Sequence, residues 1–363
     1  MRESRRRVTG EETGTPARSR LIPTALKWVG GVTAVLSLIF GFQQLAESVS
    51  ALRQRDRQTK ELLRTSQMQE AARDYPAAWD SMAEADRLTN GRRDVRMAQE
   101  SLAMDWLEHA RLGPDQQRFS DIVGKVAPIL DRAASTAQRA RKADLLAHLG
   151  WAEFLRSRDG VATLAPDHYY KEALKTDPQN VYAHAMLGHW ILWHGGKVAD
   201  AREQFSLALA GGSHRDYVRT MQLSGYENVR NDEADVELVR VVGDMLTKGE
   251  RVDPETRSAL WAIYSFHFDS DEARRQQLLA AVPPADQLAT FSSLFDVPNF
   301  DQSKFVSREF YRAILEEAAG QRTQALQTLL SVRPKLTRDS AMRNEIEQSI
   351  KRLSVNARQS TEE

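Results

Sequence analysis

The chain is 363 residues long, with Lys+Arg and Asp+Glu each totalling 50 and a formal net charge of +0 at pH 7. No global field would recruit nucleic acid, so phosphate tracking and base readout have little electrostatic support. With 0 cysteines, disulfides, thiolate metal sites, iron–sulfur clusters and cysteine nucleophiles are excluded.

Ala, Leu, Arg, Glu and Gln are abundant and alternating apolar/polar segments are scarce, which predicts an all-α chain with almost no sheet. Residues 1–20 form a polar tail, Arg-rich at Arg5, Arg6, Arg7, Arg18 and Arg20, that is expected to be disordered. Within residues 1–64 there are 12 Lys/Arg against 6 Asp/Glu, so the start is basic and the remainder correspondingly acidic.

From Leu21 to Phe42 the chain reads as one apolar run with Lys27 as its only charge. At about 1.5 Å per residue such a run spans a hydrocarbon core roughly 30 Å thick. Lys27 lies near one end, where its stem snorkels to the headgroups beside Trp28. Residues 21–43 are therefore predicted to be a transmembrane helix. The alternative is a buried core helix, but a solvated surface helix would be expected to show a polar face, which Val29–Phe42 lacks. A cleaved signal would need a small-x-small pattern, which Gln43-Gln44-Leu45-Ala46 does not supply.

Arg18, Arg20 and Lys27 lie closer to the span than Arg53, Arg55, Arg57 and Lys60. That asymmetry favours a cytoplasmic amino terminus with the bulk of the chain on the far side of a bacterial inner membrane. Gly30, Ala34, Ser37 and Gly41 place small residues on one face, where two spans would approach closely as a homodimer. Residues 44–65 are predicted to be a helical stalk carrying Leu45, Val49, Leu52, Thr59 and Leu63. It would be either a short coiled coil or a lone solvated helix whose seam Asp56 interrupts.

The remainder, 66–355, shows internal self-similarity. Leu149-Gly-Trp-Ala-Glu-Phe154 followed by Tyr170-Lys-Glu-Ala-Leu174 corresponds to Leu187-Gly-His-Trp-Ile-Leu192 followed by Phe205-Ser-Leu-Ala-Leu209. Tyr170 to Phe205 and Ala173 to Ala208 are each 35 residues apart, so each unit reads as a helix hairpin, over 142–178 and 179–212. Weaker copies are Ala78, Met82 and Ala85 on one side and Ala325 with Leu329 on the other. Asp253-Pro254 and the acidic turn from Asp232 mark further helix starts. Ala281–Phe305, with Pro283, Pro284 and Pro298, reads as an irregular corner or as a division between two subdomains, and 356–363 as a second disordered tail.

These spacings resemble the tetratricopeptide repeat (TPR) family, which pairs two helices in about 34 residues. Leu187, Gly188, Ala201, Phe205 and Ala208 match its pattern in one unit, and Leu149, Gly150, Tyr170, Ala173 and Pro178 in the other. The resemblance implies a right-handed superhelical solenoid of α-hairpins whose concave face binds extended peptides. Carried over residue by residue, it implies a partner-binding groove of Trp151, Phe154, Leu155, Tyr182, His189, Leu192 and Trp193, with Ala147 and Ala185 beside them. Members that grip carboxyl tails have Lys and Asn where this chain has Ala147, Trp151, Ala185 and His189, so a carboxylate clamp is not expected.

Whether the aromatics form an exposed wall or fill the space between hairpins stays open at this point. His184, His189 and His194 step by five residues, about 140° per step, and so do not share a face as zinc ligands at i and i+4 would. No metal site, no cofactor and no catalytic set is expected. The function read from the sequence is a membrane-anchored scaffold or adaptor for protein partners. A periplasmic chaperone-like factor and a non-catalytic accessory subunit of a membrane enzyme complex are the alternatives.

Overall fold

The computed structural model describes residues 23–110, 118–295, 302–337 and 342–359, without the side chains of 23–43, 45, 46, 302 and 356–359. The side chains of the expected span 21–43, its small-residue face and the tail 1–20 therefore lie outside the described residues. Among the described residues no helix is long and apolar enough to cross a membrane. Sixteen α-helices and no strand occur among them, which gives an all-α repeat fold. By contacts the chain divides into two compact units, Met1–Leu102 and Ala103–Glu363.

The first unit holds α1 (Pro23–Ala71), α2 (Tyr75–Thr89) and the start of α3 (Arg93–His109). Arg73, at φ 62, turns the chain between α1 and α2, and the Asp74 carboxylate caps α2 by accepting from the Ala77 amide at 3.2 Å. Tyr75, Ala78, Trp79, Met82 and Ala85 recur every three or four residues along α2 and are all buried. The Ser66 hydroxyl donates to the Ala78 carbonyl at 2.9 Å, tying α1 to α2 as a hairpin.

This arrangement corrects the expectation of a free stalk over 44–65. Thr59 is fully buried, and Asp56 pairs with Lys60 at 2.8 Å and Arg92 at 3.1 Å. The carboxylate that would interrupt a coiled-coil seam instead holds α1 to the residues opening α3. Only the part of α1 before Asp56, with exposed Val49 and Leu52, keeps the character of a stalk.

The second unit continues through α4 (Phe119–Thr136), α5 (Arg139–Arg158), α6 (Pro166–Thr176), α7 (Val181–Trp193), α8 (Val198–Ala210), α9 (Arg215–Val229) and α10 (Asp232–Thr247). It closes with α11 (Pro254–Asp269), α12 (Glu272–Ala281), α13 (Pro284–Ser293), α14 (Phe305–Ala318), α15 (Arg322–Val332) and α16 (Arg343–Gln359). The pairs α5/α6, α7/α8 and α14/α15 are antiparallel hairpins of sequence neighbours, and α7 packs on both α5 and α9. Successive hairpins therefore stack, each burying an apolar face that it could not bury alone.

Glycine sets the closeness of two of these hairpins. A Cβ at Gly150 would lie 2.5 Å from the Tyr170 ring, and one at Gly188 would lie 3.1 Å from the Phe205 ring. The repeated Leu-Gly of the sequence thus marks where the second helix of each hairpin presses an aromatic against the first.

Side-chain caps start the helices where the sequence places them. Asp253 accepts from Thr256 N at 2.8 Å with Pro254 in the first turn, Asn231 accepts from Ala234 N at 2.8 Å, and Asn180 from Ala183 N at 2.9 Å. The segment Ala281–Phe305 differs from the expected irregular corner because it contains the ten-residue helix α13. Pro284 stands at its start, where proline's fixed φ and missing N–H suit a helix, so the prolines begin this element and do not break it. Likewise α16 runs to Gln359, into the tail expected over 356–363.

Candidate functional site

The predicted groove residues come from two helices that are first members of successive hairpins. On α5, Trp151, Phe154 and Leu155 are buried; on α7, His189 and Leu192 are buried, Tyr182 is half-buried, and Trp193 alone is exposed, at 39%. Of the two arrangements left open by the sequence, most of these side chains therefore take the one that fills the space between hairpins, and Trp193 the exposed one. Trp151 and Phe154 stack at 4.6 Å, and His189 meets both edge-on at 5.3 and 5.1 Å. The Trp151 indole N–H also donates to the Leu107 carbonyl on α3 at 2.9 Å.

The reason is spatial economy between helices. An aromatic side chain buries 150–250 Å², and filling the gap between two stacked hairpins with it is worth more than leaving it in water. Leu192 shows the same logic on the other side of α7. Its Cδ1 lies 2.9 Å from where a Cβ of Gly225 would be, so the bare backbone of α9 makes the socket for it.

What remains at the surface is a shelf at the carboxyl end of α7. Phe154 meets Trp193 edge-on at 5.3 Å, and the Arg158 guanidinium lies over the Trp193 ring at 4.8 Å and over Phe119 at 5.6 Å. Trp190, half-buried, stacks on His194 at 4.9 Å. Trp193 is therefore an exposed indole with fixed neighbours, backed by Phe154 and gripped by a cation.

No family model and no curated protein matches the chain. Two of the solved structures it is similar to are tetratricopeptide repeat proteins. One, from Parabacteroides merdae ATCC 43184, is 13% identical with a TM-score of 0.38, over 82% of this chain and 99% of that one. Another, the P58(IPK) TPR domain, is 10% identical with a TM-score of 0.20, over 84% of this chain and 99% of that one. Likeness at this level carries no argument, and the hairpin architecture rests on the packing just described.

The histidines near the shelf have structural partners. His148 hydrogen-bonds the Asp144 carbonyl at 2.7 Å and Glu108 at 2.8 Å. His184 bonds Gln204 at 2.8 Å and the Pro178 carbonyl at 2.9 Å, and His194 bonds the Trp190 carbonyl at 2.6 Å. Tyr182 lies between His148, at 4.6 Å, and His214, at 4.7 Å, and burial pushes its phenol well above the usual range.

His189 is different, because its Nδ1 is buried without a hydrogen-bond partner. Burial among the rings, with a smaller push from the Arg158 charge, lowers its imidazole to about 4. The unfolded chain titrates near ~6.5, so between that pH and 4 it takes up a proton that the folded chain refuses. Stability from this site is full above ~6.5 and declines as pH falls toward 4, by on the order of 3 kcal/mol. Urea denaturation at pH 7.5 and pH 5 should show about 2 kcal/mol of this loss in the native chain, because pH 5 lies above the folded value, and much less in His189→Met. An unchanged pH difference in the variant would assign the loss elsewhere.

A separate cavity of about 800 Å³ lies between α12, α14 and α16. Its charges are largely matched among themselves. Arg275 reaches Glu272 at 3.3 Å and Glu345 at 3.5 Å, and Arg352 holds Glu317 with one arm at 2.9 Å. Nothing in the sequence pattern marked this cavity, because its three walls come from helices brought together only by the stacking.

Proposed function

We propose that this protein is a membrane-anchored adaptor that binds a protein partner through the Trp193–Arg158 shelf, with residues 21–43 holding it in the bilayer. The observation that carries the reading is Trp193 itself. It is the most exposed of the predicted groove residues, and its contacts with Phe154 and Arg158 hold the ring before a partner arrives, which lowers the ordering cost of binding. Trp and Arg are the residue types in which binding hot spots concentrate. A partner suited to this shelf offers an apolar side chain to the indole and a carboxylate to the guanidinium.

The apolar run Leu21–Phe42 supports the anchor, and the nearer basic cluster supports an amino terminus in the cytoplasm. Small residues at Gly30, Ala34, Ser37 and Gly41 support pairing of two such anchors. The reading is of a protein that binds and does not convert.

A photo-crosslinking amino acid placed at Trp190 should capture the partner in the cell, and mass spectrometry should identify it. Trp193→Ala should then weaken that partner's binding by about 30-fold, the effect of a hot spot near 2 kcal/mol. Leu330→Ala, at another exposed apolar position, should leave binding unchanged. Equal binding by Trp193→Ala with native helical content would remove the shelf from the account. One stoichiometric partner would fit an adaptor or accessory subunit, whereas many unfolded clients would fit a chaperone-like factor. A carboxyl-terminal dual-reporter fusion tests the orientation.

A further inference from the structure

The histidine best placed for a ligand is not one of those near the groove but His267, fully buried on α11. Its Nδ1 lies 3.3 Å from the Arg274 carbonyl, an acceptor, so Nδ1 carries the proton. Its Nε2 points the other way, at the first turn of α10, and sits 3.2 Å from Asp235 Oδ2. Asp232 and Asp235 are three residues apart, so both carboxylates rise from one face of that turn. One donor atom from each of Asp232, Asp235 and His267 lies within 4.8 Å of the other two.

With Nδ1 protonated, a neutral imidazole aims its Nε2 lone pair at carboxylate oxygens, which is repulsive. Either a second proton or a cation must stand between them. The geometry suits a cation. Tetrahedral zinc with bonds of about 2.0 Å separates its ligands by roughly 3.3 Å, close to the 3.2 Å between Nε2 and Asp235 Oδ2. A ligating histidine characteristically donates its other N–H to a carbonyl or carboxylate, as Nδ1 does here to Arg274. Arg274 Nε rests 3.3 Å from Asp232 Oδ2, but this side chain is 40% exposed and lies over the exposed ring of Phe266 at 4.4 Å. It stands as a competitor for Asp232 that a cation would displace.

We propose that Asp232, Asp235 and His267 form a three-ligand site for a divalent cation of the zinc type, joining the start of α10 to α11. One imidazole and two carboxylates suit zinc or its neighbours in the first row. Asp232 is 32% exposed, so the remaining coordination position opens toward solvent, for a water or a partner's side chain. The cation would fasten together two consecutive helices of the stack, and mass action would raise the stability of the folded state.

Calorimetric titration of the chelator-treated full chain with zinc chloride tests this. One site per chain is expected, weakened at least about tenfold by either Asp235→Asn or His267→Gln. Arg274→Gln should tighten it by freeing Asp232, and His168→Gln, at an exposed position, should leave it unchanged. Circular dichroism checks that each variant folds. Should the ligand variants unfold, cobalt titrated into the native chain gives the second readout, an intense visible absorption band for a low-coordinate site. Zinc binding that is indistinguishable between the native chain and Asp235→Asn with His267→Gln overturns the proposal. So does a featureless cobalt spectrum, leaving a protonated histidine between carboxylate and carbonyl.

Discussion

Replacing Phe205 by alanine should destabilise the second unit by roughly 3–5 kcal/mol, the range for deleting a buried aromatic ring without refilling its space. Phe205 has 0% exposure. Its ring faces the backbone of Gly188 on α7 and meets Tyr226 on α9 at 5.8 Å. It therefore joins three helices, and no single neighbour can collapse into its place. Urea denaturation followed by far-ultraviolet circular dichroism measures the loss, and a change below 1 kcal/mol would place Phe205 outside the core.

The partner substitution tests the same contact from the other side. Gly188→Ala puts a methyl group 3.1 Å from the ring and 3.2 Å from the Ala201 carbonyl. Overpacking of this kind costs about 1–3 kcal/mol. In a Phe205→Leu background the ring part of that clash is gone and the backbone part remains. The double-mutant cycle should then show a favourable coupling, and strictly additive losses would mean that glycine is there for another reason.

A loss of about 3 kcal/mol is expected for Arg219→Met. The Arg219 side chain is only 5% exposed. Its guanidinium donates to Glu250 at 2.8 Å, to Gln222 at 2.9 Å, and to Asp244. Removing one member of a buried ionic group strands the others, which costs 3–5 kcal/mol when they have no further partner. The lower end applies here because Arg215 still reaches Glu250 at 2.6 Å and Asp244 is 42% exposed. Adding Glu250→Gln to Arg219→Met should recover part of the loss.

The same cluster governs acid stability. Burial pushes the Glu250 carboxyl up, but Arg219 and Arg215 outweigh it and hold the group below its ordinary value. A depressed carboxylate contributes stability above the unfolded value near ~4.3, and that contribution is lost as pH falls through the folded value. Arg219→Met should flatten the stability profile below ~4.3 relative to the native chain. An identical acid slope in the variant would show that other carboxylates carry it.

Much of the local structure was legible because its causes are local. Asp253-Pro254 starts a helix where a side-chain oxygen can meet free amides, and the acidic turn from Asp232 opens another, whatever surrounds them. Ala78, Met82 and Ala85 on α2, and Ala325 and Leu329 on α15, are buried where their spacing put them. Gly150 and Gly188 announced close helix crossings, and the rings that occupy the freed space, Tyr170 and Phe205, were in the same repeat pattern. In the segment from Ala281 the proline signal was present but read for the wrong purpose, as a break where Pro284 begins a helix.

The candidate site was less legible, and the residues themselves show why. Helix α7, Val181-Tyr-Ala-His-Ala-Met-Leu-Gly-His-Trp-Ile-Leu-Trp193, is apolar on nearly every side. Periodicity can assign a residue to a face only when the faces differ. It could not separate Trp193, at the surface, from Leu192 and His189, which are buried. Nor could spacing join His267 to Asp235 across 32 positions of chain, because that distance depends on how α10 and α11 dock.

By itself, then, the sequence determined that the chain is helical, where several of its helices begin, and that successive hairpins must cover one another's apolar sides, since each of these follows from interactions within a few turns. Only the tertiary structure decided which aromatics fill the gaps, which one faces solvent, and which distant ionisable groups meet. Those outcomes depend on the rotation of each helix against its neighbours, and that rotation is fixed by the packing of many side chains together.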